Sequence, residues 1–388
     1  MIYENKQGYT LIELIIVMAI FMTVIMISSA AFERIVYQSS QQSKSVETQI
    51  EGIVGLEIMR ADLQQAGFGL PWSFAAGTAY QEAVTSTVVG VDPSTFNDGL
   101  GVSLPGNPPR AFASGNSTFN SGADGASNYL VIKSILAAAN GTSKKWTTVS
   151  YDKDNVRTRK QWGATDRDFT SNERVIIVKN SLTSTPVTRE LAVSSTGGFS
   201  GTFAPYSSPA IHHSGDTFEI YGVDPDTDLR MPFNRADYYI SKPDNMPATC
   251  ASQGVGILYK AIVNQGDGKF SKMPLLDCVA DMQVVYGLDA SGNGMSYSDP
   301  NYHTSDISGY DAAKIRDELK EIRVYILAQE GKKDRFYNYP SPTVEVGEKF
   351  GGMLKGRDFN LALHIGADYK QYRWKVYTIV IRPKNLIQ

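Results

Sequence analysis

From Leu14 to Phe32 the chain carries no charge, and from Tyr9 to Glu51 it contains neither glycine nor proline. The uncharged run is about 19 residues, and as a helix rising 1.5 Å per residue it is long enough to span a bilayer core. No residue invites the helix to break for about forty positions. One acid, Glu13, stands at the start of the apolar run, behind a short polar leader from Met1 to Gln7 and then Gly8. A carboxylate in such a segment costs roughly 2.5 to 3.5 kcal/mol even on lenient insertion scales. Glu13 is therefore a functional candidate.

Two ordinary segments share part of this pattern. A secretory signal would use Ser28, Ser29 and Ala30 as its small-residue cleavage site. Its leader should be basic, however, and here Lys6 is balanced by Glu4, while Glu13 interrupts the apolar region. A plain signal anchor accounts for the length and leaves Glu13 without a role.

The succession Gly8-Tyr9-Thr10-Leu11-Ile12-Glu13 and the apolar run behind it resemble the class III signal of type IV pilins and pseudopilins. The resemblance implies cleavage after Gly8, N-methylation of the new N-terminal Tyr9 by the same enzyme, and Glu13 as fifth residue of the mature chain. Tyrosine stands where phenylalanine is commoner. The resemblance also implies a partner for Glu13: the terminal amine of a neighbouring subunit, freed by the cut. In low dielectric such a pairing compensates the desolvation of both groups. Many major pilins have a helix-breaking proline where this chain has Ala30, which hints at a specialised subunit.

Beyond the membrane run, Val46, Ile50, Ile53, Val54, Leu56, Met59 and Leu63 recur at helical spacing. The stretch Ser39 to Ser45 is polar on every side and is expected to be wet. The spacing predicts one helix from Thr10 to Gln65, spanning the membrane at about residues 11–32, with its second half packed on a globular head. Ala66-Gly67-Phe68-Gly69 and Pro71 supply the stop. The expected organisation is a leader (1–8), a helix (9–66) and a β-rich head (67–388), an α+β pilin-like fold.

Removing the leader and membrane segment leaves roughly 350 residues, room for a large domain or two small ones. A net charge of −3 without a basic stripe gives no indication of nucleic-acid binding. Cys250 and Cys278 both follow the membrane segment, and a periplasmic head permits a disulfide between them. Closing a loop of about 27 residues is worth roughly 3.5 kcal/mol in the chain-entropy description. Two buried free thiols are the alternative. The spacing is not C-x-x-C, which argues against redox or zinc chemistry.

Ser73 to Asn128 is rich in Gly, Ser, Asn and Pro, including Gly106-Asn107-Pro108-Pro109, and reads as a long surface excursion. Strands are expected at 129–133, 147–151, 173–179, 216–222, 238–240, 256–263, 282–287, 319–328 and 374–382, with a short helix at 310–318. Ala61–Gly67, Leu276–Asp289, Leu319–Ala328 and Tyr377–Asn385 are similar to the matching stretches of PilW-type minor pilins. The same organisation resembles the J-type pseudopilin of type II secretion, although the loop-rich excursion and the size of the head are less typical of that protein.

Three further groups have weak claims. Asp224, Asp226 and Asp228 alternate as hard calcium ligands can, yet neither a glycine nor a distal glutamate completes a calcium loop. Asp289, Asn293 and Gly294 look like a degenerate version, with Ser291 in place of an acid. His212-His213 lacks an H-E-x-x-H context. No nucleophile elbow, Walker loop or dinucleotide fingerprint appears in a useful context, so neither an enzyme nor a cofactor is expected. The resemblance implies a minor pilin that primes a type IV pilus at or near its tip. Its implied partners are other minor and major pilins, the prepilin peptidase and methyltransferase, the inner-membrane assembly platform and a tip adhesin. The implied location is first the inner membrane, with the head in the periplasm, and then the pilus on the cell surface. A membrane-tethered periplasmic enzyme or binding protein is the remaining class, and it would need a catalytic or ligand constellation in the head.

Overall fold

The computed structural model describes residues 10–101, 106–138, 140–154, 156–181, 188–194, 198–199, 201–203, 216–294 and 299–386. One helix, α1, runs from Leu11 to Gln65, 55 residues without a break. It stops at Ala66, where Gly67 enters the left-handed region at φ 80°. That backbone conformation favours glycine, and the terminal carbon of Leu386 packs close over the turn.

The head is built on an antiparallel sheet. Its strands in chain order are β1 (Phe112–Asn116), β2 (Asn128–Ser134), β3 (Asn234–Ser241), β4 (Gly256–Val263), β5 (Phe270–Leu288) and β6 (Leu319–Glu330). A separate hairpin of β7 (Thr343–Phe350) and β8 (Met353–Asn360) intervenes before β9 (Arg373–Ile381). Across the sheet the order is β9-β6-β5-β4-β3-β2-β1, with the short strand His303–Thr304 pairing to β5. The path is a meander with two excursions, one between β2 and β3 and one between β6 and β9, and consecutive strands of the sheet remain neighbours.

The central strands are apolar on both faces. On β6, Ile322, Val324 and Ile326 join the core that contains Leu56, Met59 and Leu63 of α1. Tyr325 and Leu327 point the other way, into a second core with Val346, Phe350 and Phe359 of the β7–β8 hairpin. A smaller sheet runs through Thr188–Leu191, Arg174–Ser181, Thr217–Asp224 and Trp146–Tyr151. Its Ile176, Val178 and Tyr221 extend the first core.

The expected strands at 129–133, 147–151, 173–179, 216–222, 256–263, 319–328 and 374–382 are present within a residue or two at each end. Three expectations need correction. The stretch 73–128 is not a surface excursion throughout: Tyr80, Glu82, Phe112 and Ala113 are buried, and Phe112 opens β1. It brings Glu82 and Asp98 to Lys133, whose Nζ lies 2.7 and 2.6 Å from their carboxylates, and Arg235 lies 3.2 Å from Glu82. Mutual neutralisation lets these charges enter the interior.

The apolar stripe of α1 is also only half buried. Leu56, Met59 and Leu63 face the core, whereas Val46, Ile50, Ile53 and Val54 are 53 to 61% exposed. Lastly, the polar stretch 39–45 is not wet all round. Gln41 is buried under the connection between β6 and β7, and its Nε2 donates to the Lys333 carbonyl at 3.2 Å.

Candidate functional site

Thr10 caps α1. Its backbone N–H and its hydroxyl donate to Glu13 Oε2 at 2.8 and 2.9 Å, and its hydroxyl accepts from the Glu13 N–H at 3.4 Å. This reciprocal arrangement is a capping box, which satisfies otherwise unpaired amides of the first turn. Both capping residues lie downstream of Tyr9. The carboxylate is thus held at the helix start by local geometry, and among the described residues Oε1 takes no hydrogen bond. Gly8 and Tyr9 lie outside the described residues.

Behind the cap, α1 stands clear of the head. Leu14, Ile16, Ile20, Phe21, Ile25 and Ile27 are all exposed, and the segment Leu11–Lys44 is long and apolar enough to cross a membrane. An isolated helix that is apolar all round requires a nonaqueous environment.

The other end of α1 is docked by close backbone approach. A β-carbon at Gly55 would sit 1.9 Å from the Leu275 carbonyl oxygen of β5. Glycine lets the helix touch the strand's backbone directly. Further along the same helix, Asp62 accepts from the Tyr238 hydroxyl at 2.5 Å and pairs with Lys260. Burial pushes the Asp62 carboxyl above its ordinary value, and Lys260 and Tyr238 oppose that shift. Sequence reading did not find this anchor, because Asp62 has the spacing of any polar helix residue and its partners lie on β3 and β4.

Cys250 and Cys278 form a disulfide, with Cα atoms 5.1 Å apart. It ties the loop before β4 to the middle of β5, on the sheet face opposite α1. Asp224, Asp226 and Asp228 do not converge. Asp224 accepts from the backbone N–H groups of Asp226 and Thr227 at 3.2 and 2.8 Å, and Asp228 pairs with Arg174 at 3.0 Å. Asp289 turns into its own loop, accepting from the Gly294 N–H at 3.0 Å. Among the described residues no three His, Cys, Asp or Glu side chains gather as metal ligands. His212 and His213 lie outside the described residues.

A second cluster surrounds Arg357, a residue of β8 whose side chain is buried. Its Nη2 lies 2.9 Å from Asp124, which also accepts from the Asn360 N–H at 2.9 Å and lies 3.0 Å from His364. These hydrogen bonds and the Arg357 charge outweigh burial and hold the Asp124 carboxyl down at about 2. The cluster clamps the hairpin to the loop before β2.

A capped start, a free apolar helix long enough to cross a membrane once and a β-rich head packed on that helix's far half make a pilin-like α+β arrangement. Residues 4–29 match the prokaryotic N-terminal methylation motif, the type IV pilin-like prepilin signal. No curated protein matched the chain, and no solved structure did.

Proposed function

We propose that this chain is a minor pilin of a type IV pilus, of the PilW type, that primes assembly and sits at or near the filament tip. The observation that carries the reading is the methylation motif at residues 4–29, joined to a free apolar helix and a bulky head. In this reading the subunit waits in the inner membrane with its head in the periplasm. The peptide bond after Gly8 is hydrolysed and the Tyr9 amine is methylated. The helix start survives the cut, because the cap is made by Thr10 and Glu13.

Glu13 then meets the terminal amine of a neighbouring subunit as the helices bundle. The carboxylate is already fixed by Thr10, so pairing requires little further ordering of its side chain. The large head favours a terminal position over a repeating shaft. The chain itself is structural and catalyses nothing. Its partners are other minor and major pilins, the prepilin peptidase and methyltransferase, the inner-membrane assembly platform and a tip adhesin.

The mature N-terminus of the native protein, read by mass spectrometry, tests the class. N-methyl-Tyr9 is expected, and an intact Met1 would sink it. Deletion separates a pilus subunit from a J-like pseudopilin of type II secretion. Loss of twitching or DNA uptake with normal protein secretion is expected, and the reverse pattern overturns the pilus assignment.

A further inference from the structure

We propose that the connection between β6 and β7, residues 331–337, docks the head onto the surface of an anionic phospholipid bilayer, the one α1 spans. The proposal rests on the membrane-anchored reading of α1 and adds a second contact borne by the head. The connection folds against α1 just past its apolar span. Tyr37 donates to Asp334 Oδ1 at 3.3 Å, and Lys332 Nζ donates to Ser40 Oγ at 3.0 Å. The Phe336 ring meets the Tyr37 ring edge-on, with centroids 5.6 Å apart.

The height of this contact follows from helix geometry. Tyr37 lies about 8 Å along α1 beyond Phe32. Ile35 and Val36, both exposed, carry the apolar surface of the helix up to it. Residues 331–337 therefore sit at headgroup level when the apolar run is in the hydrocarbon.

Their chemistry suits that level. Phe336 is 70% exposed, with Lys332, Lys333 and Arg335 around it in sequence. Arg34 from α1 and Arg373 from β9 line the same cleft. The nearby acids are committed: Asp334 to Arg373 at 2.9 Å, Asp368 to Lys333 at 2.6 Å and Glu330 to Lys375 at 2.9 Å. Lys332 and Arg335 make no ion pair among the described residues. Glu33 is the one acid of α1 between Glu13 and Glu47.

An exposed aromatic ring beside Lys332 and Arg335, the latter lying over the ring with 4.7 Å to its centroid, matches the headgroup boundary, where the ring enters apolar material and the cations meet phosphates. Continuity with the helix's own span fixes the occupant as lipid. A head held this way leaves the membrane only when two contacts break, one in the bilayer and one on its surface.

The test uses the full chain in lipid nanodiscs of phosphatidylcholine, with or without phosphatidylglycerol, and hydrogen exchange of residues 331–338. Exchange should be at least about five-fold slower in the anionic discs, a difference that high salt erases. The Lys332→Glu/Arg335→Glu variant should lose the difference, and Phe336→Ser should reduce it. Equal exchange in both discs while the chain stays disc-bound overturns the docking, as does full protection in the charge-reversed variant. A chain that fails to remain with either disc overturns the anchor reading itself, and the docking falls with it.

Discussion

Glu13 and Asp62 are carboxylates on one helix, and their surroundings differ in almost every respect. Glu13 is exposed, held among the described residues by Thr10 alone, on a half of α1 that makes no core with the head. Asp62 is bound to Tyr238 and Lys260 beneath the sheet. The apolar side chains divide in the same way. Ile16, Phe21 and Ile25 stand clear, while Leu56, Met59 and Leu63 are buried. Hydrophobicity alone does not make that division, since the free half is the more apolar one. The docked half also carries Gly52 and Gly55, whose missing side chains let the helix approach Leu276 and the Leu275 backbone closely.

The largest effect expected from breaking this contrast is at Asp62. Asp62→Ala strands Lys260 in the interior without its partner, and loss of one member of a buried pair costs about 3 to 5 kcal/mol. Denaturant unfolding of the detergent-solubilised chain, followed by tryptophan fluorescence, should show a drop of that size. An unchanged midpoint would mean that Asp62 does not anchor the helix. Gly55→Val should follow, at about 2 to 3 kcal/mol, because its β-carbon meets a backbone carbonyl that cannot turn aside. Ala30→Val in the free half is the control and should leave head unfolding where it was. Equal effects at the two sites would erase the distinction between the halves.

Acid sharpens the contrast further. The Asp124 carboxyl titrates at about 2 in the folded head, below its ordinary value of 3.8. A depressed carboxylate stabilises the fold above its unfolded value, and that contribution is lost as pH falls from about 4 to about 2. The shift corresponds to at most about 2 kcal/mol, and less once solvent screening is counted. Head stability measured against pH should fall through this window as Asp98, Glu173 and Asp334, also held below their ordinary values, lose their contributions too, and Asp124→Asn should remove only the Asp124 share of that fall. The helicity of the free half, read by hydrogen exchange in detergent, should not follow the same curve.

The extent of α1 was legible because nothing interrupts it before Glu51 and because Gly67 and Gly69 end it; both glycines adopt positive φ. The core strands were legible because β-branched runs such as Ile322, Val324 and Ile326 alternate. The hairpin of β7 and β8 was not. Val344, Val346 and Phe350 are separated by Glu345, Gly347, Glu348 and Lys349, and only the sheet face beneath makes them a core. The buried part of 73–128 was hidden for a similar reason. Glu82 and Asp98 read as loop acids until Lys133 and Arg235, distant in sequence, neutralise them. At the site, Glu13 announced itself as a charge in an apolar run. Its bond to Thr10 follows from the T-x-x-E spacing of a capping box, a local signal that sequence reading passed over. The contact of residues 331–337 with Tyr37 and Gln41 had no local signal.

The smallest expected effect separates two roles that Glu13 holds at once. Thr10→Ala removes the cap and should cost the helix start about 1 kcal/mol. Amides of residues 11–16 should then exchange about five-fold faster in detergent, with head unfolding unchanged. Glu13→Gln keeps an acceptor that can still bond the Thr10 N–H, so exchange should stay near the parent's rate. The glutamine side chain lacks the charge, however, so incorporation into sheared filaments should fall. If Glu13→Gln chains instead enter filaments normally while Thr10→Ala chains do not, assembly depends on the shape of the helix start and not on the charge. The free half of α1 would then be recognised as the docked half is, by geometry.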